Sequence, residues 1–209
     1  MENLVIEARL VSPIIMQGHL TFDSLLGALA HEKLGDWSKI PVKQSDGLFH
    51  ASSAITDPFA KSSVGWAASM RWQHDWPVDL MPLNSRGTPQ ALSAKRKREF
   101  GQVLSGYKVL HTERIRWNVC GDRERISALI RDVKAIGKKR AQGYGHVEGW
   151  VYRLASEDHS IVGPEGQPMR PVPHDMFDGD KSLPMTEAAW RPAYHDPRNR
   201  AACYAPRLH

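Results

Sequence analysis

The residues of this chain best suited to chemistry fall in one run, Ile136-Gly137-Lys138-Lys139-Arg140-Ala141-Gln142-Gly143-Tyr144-Gly145-His146-Val147. Glycine permits positive φ and lets another backbone come close. Successive backbone N–H groups in such a turn can form a concave anion site. Lys138, Lys139 and Arg140 would raise the positive potential around it. The chemistry that suits Gly137, Gly143, Tyr144, Gly145 and these cations is contact with phosphate, on a polyanion such as RNA. A plainer reading fits the same spacing. Gly137 could end a helix in the left-handed region, with the cations complementing the helix dipole. The run follows a helix rather than opening one, so it is neither a Walker loop nor a Rossmann fingerprint.

Other residues suit acid–base work. Metal-independent RNA cleavage needs a general base near the 2′-OH and an acid for the leaving oxygen. His19, His31, His50 and Tyr144 are the candidates, and their spacing forms no recognisable constellation. Metal chemistry finds less. His31-Glu32-Lys33-Leu34-Gly35 fails the H-E-x-x-H pattern at its last position, and His174-Asp175 and His195-Asp196 stand alone. Cys120 and Cys203 form no C-x-x-C pair. No G-x-S-x-G elbow occurs. No metal or cofactor is expected.

The elements that must position these residues are legible from periodicity. Leu4, Ile6, Ala8 and Leu10 alternate with polar or smaller neighbours, which predicts a strand ending at Pro13. Thr21 is a candidate N-cap for a helix with Phe22, Leu25, Leu26 and Leu29 at helical spacing, closed by Gly35. A second strand is predicted over 48–55. Val64, Trp66, Ala68, Met70 and Trp72 share one face of a third, opposite Ser63, Gly65, Ala67, Ser69 and Arg71. Residues 73–106 read as an insertion carrying the basic block Lys95, Arg96, Lys97 and Arg98, which suits either phosphate contact or a solvated helix face. Strand character resumes over 107–119, where Ile115, Trp117 and Val119 alternate with Arg114, Arg116 and Asn118, so one face is cationic. Ile126, Leu129, Ile130, Val133 and Ile136 predict a helix over 122–136, and 146–154 reads as a last strand. Beyond Ala155 prolines and glycines are dense, and an irregular extension over 156–209 is expected.

Composition sets outer bounds. A formal charge of +5 suits a nucleic-acid partner without deciding it. The N-terminus lacks a basic region and a long apolar stretch, and no apolar run reaches the length of a membrane span. A cytoplasmic protein with reduced thiols and no membrane partner is expected.

Assigning one strand pair to the insertion leaves β-α-β-β-α-β, the ferredoxin-like, RRM-like α+β pattern. With Gly137-Lys138-Lys139-Arg140-Ala141-Gln142-Gly143-Tyr144-Gly145 between its second helix and last strand, the chain resembles the RAMP superfamily of CRISPR-associated proteins. It is most similar to the Cas-five-like group, in the single-domain version of type IV effector complexes. The resemblance covers residues 1–155, with 73–106 as a thumb-like insertion. It implies a non-catalytic crRNA-binding subunit of a class 1 effector. Such a subunit holds the 5′ handle of the guide and caps a filament of Cas-seven-like backbone subunits, with target DNA as a further candidate partner. Some members of the group process RNA, so a RAMP endoribonuclease that matures precursor crRNA is the alternative. A basic protein-binding scaffold is a third reading, which the proline-rich extension and the tryptophan-rich strand would also serve.

Overall fold

The structure, a computed structural model, describes residues 1–68, 83, 85–87 and 103–207. Lys95, Arg96, Lys97 and Arg98, with most of the 73–106 insertion and Met70 and Trp72, lie outside the described residues. The chain divides into two compact units, Met1–Lys61 with Val109–His209, and Ser62–Lys108. It is a mixed α+β protein.

The larger unit is built on β1 (Glu2–Leu10), which is central in a four-stranded sheet. The chain continues through α1 (Phe22–Leu34), β2 (Gln44–Ser45), β3 (Leu48–Phe49) and β4 (Ile55–Thr56). After β5 (Ala60–Ala68) and β6 (Val103–His111) come β7 (Arg114–Gly121), α2 (Arg123–Ile130) and β8 (Val147–Leu154). The sheet order is β4-β7-β1-β8, antiparallel at every pairing.

Alternation decides which face is covered. Leu4, Ile6 and Ala8 of β1 pair across to Val119, Trp117 and Ile115 of β7, and all six are buried. Phe22, Leu26 and Ala30 from α1 and Ile126, Leu129 and Ile130 from α2 join the same cluster, so both helices pack on one face. Each buried Leu, Ile or Phe side chain among them contributes roughly 1.5–3 kcal/mol by leaving water. The Phe22 and Trp117 rings sit 5.3 Å apart, and Trp117 Nε1 donates to the Leu20 carbonyl at 3.0 Å. Gly35 ends α1 at φ 69°, its N–H donating to the His31 carbonyl. Thr21 holds the N-cap position in an extended conformation, but its hydroxyl donates to the Tyr194 oxygen rather than capping the helix.

Several expected elements differ. The helix predicted over 122–136 stops at Ile130. Asp122 caps its start, accepting from the Arg125 N–H at 3.0 Å. Residues 134–136 then run as extended chain, because the Ile136 N–H donates to the Gly145 carbonyl and the Val147 N–H to the Lys134 carbonyl. Ile136 is buried, as the apolar stripe requires, but from a strand-like crossing rather than a helical turn. The strand expected over 48–55 is broken: the Ser52 N–H still donates to Asn118 on β7, but the N–H groups of Ser53 and Ala54 turn away to the Met169 and Leu20 carbonyls before Ile55 rejoins β7. The strand expected over 107–119 is two, β6 and β7, divided by a turn in which the Thr112 hydroxyl donates to the Arg114 carbonyl.

The C-terminal segment is not irregular throughout. It forms a three-stranded antiparallel sheet in the order β10-β11-β9, from β9 (Val172–Pro173), β10 (Met185–Ala189) and β11 (Arg200–Tyr204). Pro173 lies on an edge strand, where its missing N–H is tolerated. Val172, Phe177, Tyr204 and Leu48 make a second small core. Arg170, wholly buried, ties this segment to α1. Its Nη1 lies 3.3 Å from Asp23 Oδ1 and donates to the Ala51 carbonyl at 3.0 Å, while Nη2 donates to the Trp190 carbonyl at 2.8 Å and to the Tyr194 oxygen at 2.9 Å. The Tyr194 hydroxyl in turn donates to Asp23 Oδ2. Burial opposes the charged guanidinium, but Asp23 and Tyr194 outweigh it and hold the Arg170 pKa above its ordinary value.

In the smaller unit β5 and β6 pair as a two-stranded sheet. Val64 and Trp66 are half-buried there and Ser63, Gly65 and Ala67 exposed, so the expected alternation holds over that stretch.

Candidate nucleic-acid interface

The glycine run is a closed loop between residues 136 and 145, not a helix-to-strand link. Its Ile136 N–H donates to the Gly145 carbonyl at 2.9 Å, a 3₁₀ turn spans Arg140–Gln142, and Lys139 is left-handed at φ 59°. The loop is seated on the segment between β1 and α1. The Lys138 N–H donates to the Ile15 carbonyl and the Gly145 N–H to the Pro13 carbonyl, both at 2.8 Å. Gly137 and Gly145 are required there. A Cβ on Gly137 would lie 2.6 Å from the Ile15 oxygen, and one on Gly145 would strike the Ile136 carbonyl oxygen. Gly137 therefore caps no helix.

The seating changes what the loop can offer an anion. The N–H groups of Lys138, Gln142, Gly143 and Gly145 all donate to protein carbonyls. Phosphate contact thus falls mainly to side chains held in a fixed backbone. Lys138 and Arg140 are exposed and Lys139 and Tyr144 half-buried, and the Lys138 ammonium donates to Gln17 Oε1.

A second cationic surface adjoins the loop. Residues directly opposite in an antiparallel sheet share a face, so the side away from the helices carries Arg9 opposite Arg114, Glu7 opposite Arg116, and Val5 opposite Arg153. Arg114 and Arg116 are the cationic face expected from sequence; the register adds Arg9 and Arg153. Glu7 is the carboxylate among them, buried, with Arg153 Nη2 3.9 Å away. Like charges set directly opposite cost stability, and Arg9 with Arg114 is such a pair. Arg9 lies one residue before the end of β1, Arg114 begins β7, and the glycine loop leads into β8, so loop and arginines meet at one end of the sheet.

An aromatic ring stands at the same end of the sheet, just past β4 on the edge opposite β8. Phe59 is 75% exposed and lines a depression of about 400 Å³ with Ile55, Asp57, Thr112, Glu113, Arg114 and Arg116. An exposed ring beside two guanidinium groups can stack a base while its phosphate is neutralised. Sequence reasoning missed Phe59, whose only signal was its place after the Asp57-Pro58 break.

The acid–base candidates are not brought together. His19 lies in the link before α1, where burial lowers its pKa. It borders a groove of about 780 Å³ that includes none of the other three. His31 is exposed in the last turn of α1, and Tyr144 is in the glycine loop. His50 follows β3, with its ring between Ser45 and Asp158. Among the described residues no group of three or more His, Cys, Asp or Glu side chains could hold a metal ion. No helix among them is long and apolar enough to cross a membrane. No protein-family model matches the chain, and no curated protein matches it in sequence.

Proposed function

We propose that this chain is the crRNA-binding subunit of a class 1 CRISPR effector ribonucleoprotein, of the type IV Cas-five-like kind. Its order β1-α1-β4-β7-α2-β8, with β4-β7-β1-β8 across the sheet, supports the ferredoxin-like reading of the larger unit. The observation that carries the functional reading is the junction of the seated glycine loop with the arginine face. A single strand lying there would meet Lys138, Lys139 and Arg140 first, then Arg9 and Arg114, with Phe59 available to stack a base. The 5′ handle of the guide is the segment so held. The Ser62–Lys108 unit, which includes the Lys95 to Arg98 block, serves as the thumb toward Cas-seven-like backbone subunits.

Holding RNA this way requires no chemistry from the protein. Purified protein and end-labelled, repeat-derived RNA are followed across a salt series, and the same samples are run on a denaturing gel. Affinity should fall steeply with salt while the RNA stays intact. Changing Lys138, Lys139 and Arg140 together to Glu should flatten the slope of log K against log salt by about 2, since each single-strand phosphate contact contributes roughly 0.7. An unchanged slope would refute the loop, and RNA cleaved without metal would replace holding by processing.

A further inference from the structure

The hairpin of β2 and β3 places Ser45 beside His50, and the holding of RNA uses neither side chain. Its two-residue turn, Asp46-Gly47, has φ of 51° and 83°, as the tight turns that match strand twist require. This turn folds Ser45 back beside His50, five residues on. The chain after β8 then supplies Asp158 from the far side of the ring.

The three side chains form a directed hydrogen-bonded series. Ser45 Oγ lies 2.9 Å from His50 Nε2, and His50 Nδ1 lies 2.7 Å from Asp158 Oδ2. The other Asp158 oxygen accepts from the Ser160 N–H at 3.0 Å and from the Ser160 hydroxyl, which fixes the carboxylate. Burial pushes the Asp158 carboxyl up, but hydrogen bonds from His50 and Ser160 outweigh it and hold it well below the ordinary carboxylate range. An ionised carboxylate only accepts. Nδ1 is therefore the donor to Asp158, and when the ring is neutral its Nε2 is the atom that can take the proton of Ser45.

The surroundings suit a developing oxyanion. Asp46 and Gly47 follow the hydroxyl directly, and their N–H groups donate to nothing among the described residues. A Cβ built on Gly47 would lie 3.6 Å from Arg191 Nη1 and 3.6 Å from the Trp190 ring, so a cation flanks the turn. Arg191 is steadied there by its Nε donating to Asn199 Oδ1 at 2.8 Å and by stacking over Trp190. Ser45 is exposed, whereas the His50 side chain is only 12% exposed. A nucleophile open to solvent, a sheltered base and a fixed carboxylate are the parts of a serine acyl-transfer site.

We propose that Ser45, His50 and Asp158 hydrolyse carboxylic esters through an acyl-Ser45 intermediate. Ser45 Oγ bonds to the carbonyl carbon while its proton passes to His50 Nε2, and the carbonyl electron pair moves to oxygen beside the Asp46–Gly47 turn. Collapse breaks the ester C–O bond, and the alcohol leaves with the proton from Nε2. Water then attacks the acyl carbon, giving a proton to Nε2. The second collapse releases the carboxylic acid and returns that proton to Ser45. Arg191 favours esters whose acyl or alcohol part is anionic. Asp158 is a positioning residue that holds the ring tautomer.

The test is covalent labelling of the full chain with a fluorophosphonate probe, read by intact mass and peptide mapping, beside hydrolysis of p-nitrophenyl acetate. One adduct on Ser45 is expected. Ser45→Ala should abolish both labelling and turnover without changing the melting temperature or RNA affinity. His50→Gln should slow labelling at least 100-fold, and Asp158→Asn should slow it while leaving p-nitrophenyl acetate KM unchanged. No adduct, an adduct elsewhere, or undiminished labelling of His50→Gln would overturn the assignment. Ser45→Cys, which restores a nucleophile at the same place, should regain acylation by p-nitrophenyl acetate, and its failure to do so would count equally against it.

Discussion

Gly137, Gly143 and Gly145 share a left-handed backbone and differ in what surrounds them. Gly143, at φ 87°, has nothing within 4 Å of a built Cβ, whereas the Cβ of residue 145 would meet a carbonyl that the loop cannot move without opening. Gly143→Ala should therefore cost only the left-handed penalty, about 1–2 kcal/mol. Gly145→Ala should cost about 3 kcal/mol or more, since backbone displacement adds to that strain. Urea unfolding of the two variants measures the difference, and equal losses would contradict the seating of the loop. The spacing alone ranks the glycines alike. Gly137 faces the Ile15 carbonyl, more than 120 residues earlier, and Gly145 faces the Ile136 carbonyl across the closed loop, and the spacing of the glycines reports neither.

Elements were legible where their period was long enough to count. β1, α1, the alternation of β7 and the start of α2 follow from apolar spacing, and Asp122 and Gly35 mark helix ends as their chemistry dictates. The overshoot of α2 has a physical cause, since Val133 and Ile136 satisfy the helical stripe while their backbone pairs elsewhere. Strands of two and five residues, as in the C-terminal sheet, are too short to show a period. Arg170 also reads as one more cation among prolines, yet it anchors that sheet to α1. Arg170→Met should destabilise the protein by about 3–5 kcal/mol, because Asp23 is then buried without its partner. Adding Asp23→Asn should recover part of that loss, as read by denaturant midpoint. If the double variant is no better than the single, the pair does not act as one unit. The candidate site was partly legible by the same logic. Arg114 and Arg116 declare themselves in one strand, but Arg9 and Arg153 join them only through the register of β1 with β7 and β8.

At the scale of the whole molecule the charge of +5 is not spread evenly over what is described. One face of the larger sheet and the loop at its end gather Arg9, Arg114, Arg116, Arg153, Lys138, Lys139 and Arg140 around a single buried carboxylate, Glu7. Such a field raises the local concentration of a polyanion and speeds its arrival. The Ser45–His50–Asp158 series lies apart from that surface in its chemistry, so ester hydrolysis and RNA holding can be lost separately. The most direct test of the RNA account is ultraviolet crosslinking of repeat-derived RNA to the full chain at low salt, followed by peptide mapping. The account predicts adducts on Tyr144 and Phe59, both suppressed when Arg9 and Arg114 are changed to Glu. Adducts confined to the C-terminal sheet, or unaffected by those charge reversals, would contradict it.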